Sequence, residues 1–318
     1  MKRLCVIQLG LSGLLSAALA SPAPVTPASG PRHVEPCQTA RESSSASGFR
    51  PAAAVIFDGS IKITDRLSAA HQLGRRLCRQ QISELYAFLK ALPGPQERNL
   101  PGLNVLKNDL VSLLQEQFDP PTGLTGTLIE IYQNPAQDPV ARDYALQHLV
   151  TWSEQGAADA PDAKPRIYSV LRQAAQEDTS IAGTALLGLH RLSVNDSRTL
   201  PLSAGAVSGE EISQIALRML LSANPPSAAR VTAIQVCAER EVGEALPPIQ
   251  ALAQAENGTA VRISAIAALG WLGGPEQAVL LQRLAAEPNP DLRHAVEGAL
   301  RRLRTRLLNN PAITQNSL

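Results

Sequence analysis

Aromatic side chains are scarce in this 318-residue chain: they make up 3% of the sequence, although 44% of it is hydrophobic. A buried core must therefore be built mainly from Ala, Leu, Val and Ile, and such small side chains suit helices that approach one another closely. Neither sign of charge is in excess, since 29 basic residues stand against 28 acidic ones. This balance gives no bulk attraction to nucleic acid or to an anionic membrane, and no nucleic-acid partner is expected.

The motifs of common catalytic and nucleotide-binding sites are also missing. H-E-x-x-H, G-x-S-x-G, G-x-x-x-x-G-K-[ST] and C-x-x-C do not occur in the sequence. The five histidines stand singly. His148 and His190 lie in similar places of two predicted helices, but neither has a second ligand three or four residues away, and zinc needs three or four ligands. The sequence therefore predicts no catalytic residue, no cofactor and no metal site.

The first 20 residues have the composition of a secretory signal peptide. Lys2 and Arg3 precede an apolar run, Leu4 to Leu15, which is too short to span a bilayer comfortably. Ala18-Leu19-Ala20 supplies the small residues of a cleavage site. We expect cleavage near Ala20 and an exported mature chain, periplasmic or secreted, with no integral membrane segment. An uncleaved N-terminal anchor is the alternative.

Residues 21–55 are rich in Pro, Ser and Ala, a composition that buries too little apolar surface to offset the entropy of ordering. We therefore predict a disordered linker at 21–55. Three cysteines follow the leader. A Cys37–Cys78 disulfide would suit an oxidising compartment, although two cysteines do not by themselves establish the pairing. Cys237 falls on an apolar stripe and is expected to be a buried thiol.

A repeated apolar stripe dominates the second half of the chain. It is formed at i, i+4, i+7, i+8 and i+11, one face of a helix, by Val261, Ala265, Ala268, Leu269 and Leu272. The spacing returns 31 residues later in Leu292, Val296, Ala299, Leu300 and Leu303. The template Arg-x-x-Ala-x-x-x-Leu recovers earlier copies, and seven units start at residues 66, 107, 142, 182, 230, 262 and 293. We call the helices that carry this template the striped helices.

The segments between the striped helices have helix signals of their own, and we call them the second helices. Ser208 and Glu211 have the spacing of a capping box. Pro275 follows Gly273-Gly274, and this order is typical of a place where one helix ends at glycine and the next begins at proline. No alternating run indicates a sheet. The predicted class is all-α, a solenoid in which each unit buries its apolar faces against its neighbours.

Residues 260–273 and 290–303 resemble HEAT repeats, in particular the short HEAT-like type also found in phycobilisome lyases. The resemblance is specific over roughly 228–303 and fair back to Pro139. It implies a stack of helical hairpins, with degenerate N-terminal repeats at 56–137, HEAT-like repeats at 138–308 and a tail at 309–318. The family has no shared catalytic residues. Its motif arginines, at Arg142, Arg230, Arg262 and Arg293 in this sequence, are expected to bridge adjacent units through hydrogen bonds.

These observations predict an exported, non-catalytic scaffold that binds a protein or peptide in the cell envelope. Trp271 lies off its stripe and is the candidate partner contact, because aromatic residues are enriched at interfaces. Trp152 lies on its stripe and is expected in the core. The last helix is basic, at Arg301, Arg302, Arg304 and Arg306, which suits the polar outer face of a terminal repeat better than a patch for an anionic partner. The alternatives are a lyase-like or chaperone-like factor that handles a cofactor or client protein, and an envelope spacer.

Overall fold

The computed structural model describes residues 44–94, 97, 100–156, 162–177, 179–196, 205–254, 258–287 and 289–309. Within these residues the chain is all-helical, without a strand. The fourteen α-helices are α1 (Ser44–Phe57), α2 (Ile63–His71), α3 (Arg79–Lys90), α4 (Pro101–Gln115), α5 (Leu124–Gln133), α6 (Pro139–Glu154), α7 (Ala163–Ala174), α8 (Ile181–Asp196), α9 (Gly209–Leu221), α10 (Ser227–Glu239), α11 (Leu246–Gln254), α12 (Thr259–Leu272), α13 (Pro275–Leu284) and α14 (Pro290–Asn309). A 3₁₀ turn, Gly243–Ala245, precedes α11.

The helices pair in chain order into seven antiparallel hairpins, from α1–α2 to α13–α14. The even-numbered helix of each hairpin is a striped helix, and it holds the residue at which a unit was predicted to start. The stripe faces the interior: Val261, Ala265 and Leu269 of α12 and Leu292 and Val296 of α14 are all buried. The helical repeat predicted from the sequence is therefore confirmed.

Each striped helix packs on the striped helix of the next hairpin, from α2 through α4, α6, α8, α10 and α12 to α14. Small residues permit this approach. A β-carbon added at Gly270 of α12 would lie 2.8 Å from the α-carbon of Ala299 in α14. One added at Gly183 of α8 would lie 2.9 Å from the α-carbon of Ala229 in α10. The scarcity of aromatic residues thus has a structural reason, because backbones this close leave no room for large side chains.

The linker predicted at 21–55 is wrong at its C-terminal end. Helix α1 runs over Ser44–Phe57, and its side chains Phe49, Ala53 and Ile56 are buried at i, i+4 and i+7. Pro51 and the serines at 43–45 concealed this stripe, because both residue types are typical of linkers. The first hairpin therefore begins about a dozen residues before the predicted boundary. Residues 1–43, including the predicted signal peptide, lie outside the described residues.

The helix-start signals lie where the sequence places them. Ser208 is the N-cap of α9 and its hydroxyl accepts from the Glu211 amide at 3.1 Å. The Glu211 carboxylate does not appear in the reciprocal half of a capping box; it accepts instead from Arg172 Nε of α7 at 2.6 Å. Pro275 is the first residue of α13. The predicted capping box is therefore half formed, and the Glu211 side chain joins two neighbouring second helices instead.

The cysteines differ in state. Cys237 is a free thiol in the interior of α10, as expected, and burial raises the pKa of its side chain to about 12. Cys78, just before α3, is disulfide-bonded. Cys37, with which we predicted it to pair, lies outside the described residues. No helix in the described part of the chain is both long enough and apolar enough to cross a membrane.

Candidate protein-binding surface

The arginines at the template position extend from the striped helices to the turns of neighbouring units. Arg142 Nε donates to the Tyr132 carbonyl at 2.7 Å, in the last turn of α5, and its Nη2 lies 3.7 Å from the Glu177 carboxylate after α7. Arg262 repeats the arrangement. Its Nε donates to the Ala253 carbonyl at 3.3 Å and its Nη2 lies 2.8 Å from Glu287. One cation thus caps a helix C-terminus and joins two successive units.

Two further cations occupy the same position in the N-terminal units. Arg66 is 1% exposed; its Nε donates to the Ile56 carbonyl at 2.8 Å and its Nη1 to Glu97 at 2.5 Å. Lys107 donates to the carbonyls of Leu89 and Ala91 at 3.0 and 2.7 Å, at the end of α3. Burial lowers the pKa of Lys107 to about 8.

The remaining two predicted arginines differ from these. Arg230 reaches the carbonyls of Ser222 and Ala223 at the end of α9, both at 3.4 Å, and its Nε is buried without a partner. Arg293 is exposed and makes no side-chain bond to any described residue. It lies in α14, the last helix of the described residues.

Trp271 lies on the outward face of α12 and is 45% exposed, whereas Trp152 is 1% exposed in the core. The guanidinium of Arg302 in α14 stacks over the Trp271 ring, 4.6 Å from its centroid. Arg302 Nη1 also lies 3.5 Å from the Ala267 carbonyl, one turn before Trp271. Gly298 lies one turn before Arg302, with nothing but the Arg301 side chain within 4 Å of an added β-carbon. We call Ala267, Trp271, Gly298 and Arg302 the Trp271 surface.

The charge at the Trp271 surface is not compensated. Burial and the neighbouring Arg301 both lower the pKa of Arg302, which as a guanidinium stays protonated at neutral pH. Neither Arg301 nor Arg302 forms an ion pair with a described residue, whereas exposed arginines elsewhere do, as in Arg75–Glu116 at 2.7 Å and Arg191–Glu154 at 2.5 Å. An exposed indole beside unpaired guanidinium groups is a combination typical of binding hot spots.

His148 and His190 have separate partners. His148 is enclosed between α4 and α6, where Nδ1 lies 3.0 Å from Gln115 Oε1 and Nε2 lies 3.0 Å from Asn108 Oδ1. His190 Nε2 lies 2.8 Å from Glu239 of α10. In the part of the chain that the structure describes, no group of three or more His, Cys, Asp or Glu side chains could hold a metal ion.

One feature that the sequence analysis missed is an open cleft of about 460 Å³ between the turn after α7 and the turn after α9. Ala182, the template residue of the fourth unit, lines it. The sequence contains one signal for this cleft, because Ala182 occupies the position at which the other units have an arginine or a lysine. We call this feature the Ala182 cleft.

Comparison with known proteins agrees with the repeat. Residues 216–301 match the family model described as HEAT repeats, and the comparison with curated proteins finds no match. Among solved structures, a designed armadillo repeat protein is similar at 13% identity and a TM-score of 0.39, with 80% of this chain and 99% of that chain covered. Human deoxyhypusine hydroxylase in complex with glycerol is similar at 16% identity and a TM-score of 0.33, with 82% and 98% covered.

Repeats of this kind generally mediate protein interactions, because stacked units present extended surfaces. The match covers the hairpins from the end of α9 to α14, and the same hairpin continues back through the described chain to α1. Residues 216–301 therefore match HEAT repeats, and the rest of the described chain has the same helical-hairpin repeat.

Proposed function

We propose that this protein is an exported, non-catalytic scaffold that binds a protein or peptide partner in the cell envelope through the Trp271 surface. The observation that carries the proposal is the 45% exposed indole of Trp271 beneath the guanidinium of Arg302, which forms no ion pair with a described residue. An aromatic anchor beside a cation suits a partner segment that presents an apolar side chain together with a carboxylate.

Two observations support export. Lys2, Arg3, the short apolar run and Ala18-Leu19-Ala20 have the order of a secretory signal peptide. Cys78 is disulfide-bonded, which suits an oxidising compartment. Intact-mass analysis of the protein recovered from the periplasm or medium tests this proposal. We expect a chain that begins at Ser21 and carries one disulfide; a full-length chain retained in the cytoplasm would contradict it.

Binding is tested by capture from the envelope fraction of the cell that makes the protein, using mature wild type, Trp271→Ala and Phe118→Ala. Phe118 is the matched control because it is also an exposed aromatic, 74% exposed, with the Arg76 guanidinium 4.9 Å from its ring centroid. We expect one partner to bind saturably to wild type and to Phe118→Ala, and to lose at least about tenfold in affinity with Trp271→Ala.

The outcomes of this capture distinguish a binding site elsewhere on the chain from a protein that binds no partner. A partner that is lost with Phe118→Ala and kept with Trp271→Ala would move the binding site to the turn after α4. If no protein is retained saturably by any of the three, the scaffold function itself is wrong, and the spacer interpretation is then preferred.

The alternative, a lyase-like or chaperone-like factor, makes a different prediction for the same preparation. A factor that handles a cofactor would retain it, so the purified protein would absorb in the visible range. A colourless protein whose mass matches the polypeptide alone would count against cofactor handling. Client binding would appear as a partner that dissociates when it folds.

A further inference from the structure

The template position has the same environment in the first, third and sixth units. In the third unit, Arg142 occupies the space between the end of α5 and the turn after α7. In the sixth, Arg262 occupies the space between the end of α11 and the turn after α13. Each slot thus has a helix C-terminus on one side and the turn of the next unit on the other, and the arginine side chain fills it.

The fourth unit has the same slot, but no arginine side chain fills it. Its template residue is Ala182, which is 2% exposed and reaches neither wall of the slot. The turn after α9 has no carboxylate either, since residues 222–226 are Ser-Ala-Asn-Pro-Pro. The Ala182 cleft opens there, bounded by Ala175 and Thr179 on the α7 side and by Ser222 and Pro226 on the α9 side. A cleft of about 460 Å³ lies within the range of ligand-binding sites.

The floor of the cleft is apolar and adaptable, formed by Ala182, Ile215, Met219 and Ala229. Methionine fits partners of irregular shape because its side chain is unbranched and flexible. A ligand that entered the cleft would therefore gain apolar contact.

Among the described residues that line the cleft, the charge available to a ligand is positive. Glu177 lines the cleft, but its carboxylate already accepts from the Tyr132 hydroxyl and faces Arg142. Arg218 also lines the cleft, is exposed, and forms no ion pair or side-chain hydrogen bond with a described residue. An anionic group beside an apolar one therefore complements the cleft better than a cationic group would.

We propose that the Ala182 cleft binds an extended acidic segment of a partner protein, with an apolar side chain placed over Ala182 and Met219 and a carboxylate paired with Arg218. The cleft lies between the turns after α7 and α9, while the Trp271 surface lies on α12 and α14. The two sites are built from different helices, so either can fail without the other.

The test uses the mature chain and two degenerate pools of fluorescein-labelled nonapeptides. Both pools carry Leu, Ile, Val or Phe at the same positions, and the flanking positions are Asp or Glu in one pool and Lys or Arg in the other. Fluorescence anisotropy measures binding. We expect saturable binding of the acidic pool alone, and this binding should persist in the Trp271→Ala protein, in which the Trp271 surface no longer contributes.

Three variants locate this binding. Ala182→Arg restores the side chain of the other units and fills the cleft, so we expect unchanged or higher thermal stability and at least about tenfold weaker binding. Arg218→Glu should weaken the acidic pool by a similar factor and favour the basic pool. Arg293→Glu is the control for net charge, because Arg293 is exposed and without contacts in α14, and it should bind as wild type does.

Each contrary result overturns the proposal. Undiminished binding by a folded Ala182→Arg protein would place the peptide elsewhere. Equal losses of affinity with Arg218→Glu and Arg293→Glu would show that net charge alone causes the effect. If neither pool binds saturably, the cleft does not bind an acidic segment. Should Ala182→Arg fail to fold by circular dichroism, Arg218→Glu decides the question, because it changes only an exposed side chain.

Discussion

Single cations at the edge of the stack do more than stabilise their own helices. Arg66, Arg142 and Arg262 each cap the helix before them and meet a carboxylate of the following unit. Hydrogen bonds to charged groups contribute about 1.5–3 kcal/mol, more than neutral ones. The template arginines therefore help to couple successive units, and we infer that replacing one of them destabilises more than one hairpin.

Arg262→Met keeps the aliphatic stem and removes the bonds to Ala253 and Glu287. We expect a loss of about 1–3 kcal/mol in the free energy of unfolding, because a helix-end carbonyl and a half-buried carboxylate lose their donor. Arg293→Met is the control, since Arg293 has no such bonds, and should stay within about 0.5 kcal/mol of wild type. Urea unfolding followed by helical circular dichroism compares them, and equal midpoints would contradict the coupling role.

His148 gives the stability of the protein a pH dependence. Burial lowers its pKa to about 4, from 6.5 in an unfolded chain. The unfolded state therefore binds more protons between pH 6.5 and pH 4, and stability falls as the pH is lowered through this window. The full loss approaches about 3 kcal/mol, because one pKa unit is worth about 1.4 kcal/mol.

The contribution of His148 is isolated by comparing urea midpoints at pH 7 and pH 4.5 for wild type, His148→Gln and His294→Gln. The glutamine at 148 does not titrate, so that variant should lose less stability on acidification than wild type. His294 is exposed, and its variant should follow wild type. Parallel losses in all three proteins would show that carboxylates alone cause the acid sensitivity.

At the scale of helices, the distance between striped helices is set by their smallest residues. Gly270→Ala would place a methyl group 2.8 Å from the Ala299 α-carbon and 2.9 Å from its carbonyl oxygen, and both are backbone atoms that cannot turn aside. We expect α12 and α14 to be forced apart at a cost of about 1–3 kcal/mol. Thermal unfolding followed by circular dichroism measures the change.

The matched variant for this prediction is Gly298→Ala in α14. Its added methyl group would have only the Arg301 side chain nearby, at 3.9 Å. A glycine inside a helix costs about 0.5–1 kcal/mol relative to alanine, so this variant should be more stable than wild type by that amount. If both variants move the midpoint in the same direction, close packing at Gly270 is not what sets the spacing.

How much of this structure the sequence reveals differs from helix to helix. The stripes of α12 and α14 are uninterrupted, so spacing alone located both helices. Helix α1 was missed because Pro51 and nearby serines outweigh a three-residue stripe. The Trp271 exposure followed from its place off the stripe. The Ala182 cleft could not be predicted, because it depends on the distance between two turns that lie far apart in the sequence and on the absence of a long side chain at position 182.

At the scale of the whole molecule, stability accumulates along one direction. Each striped helix is covered by the next, and α12 and α14 share the most extensive packing between helices of the described chain. A hairpin that loses its neighbour exposes its buried stripe to water and keeps the full entropic cost of being ordered. The end of the stack should therefore be stable only as long as its last hairpin is present.

A chain that stops after Gly273 lacks α13 and α14 and leaves the stripe of α12, including Val261, Ala265 and Leu269, without its cover. We expect helical circular dichroism to fall by more than the share of the two deleted helices, because α12 and α11 fray as well, and the thermal midpoint to drop. A chain that stops after Asn309 keeps all fourteen helices and serves as the control. If the shorter chain loses only the share of α13 and α14 and melts with the control, the units are independent, and the coupling that we assign to packing and to the template arginines is wrong.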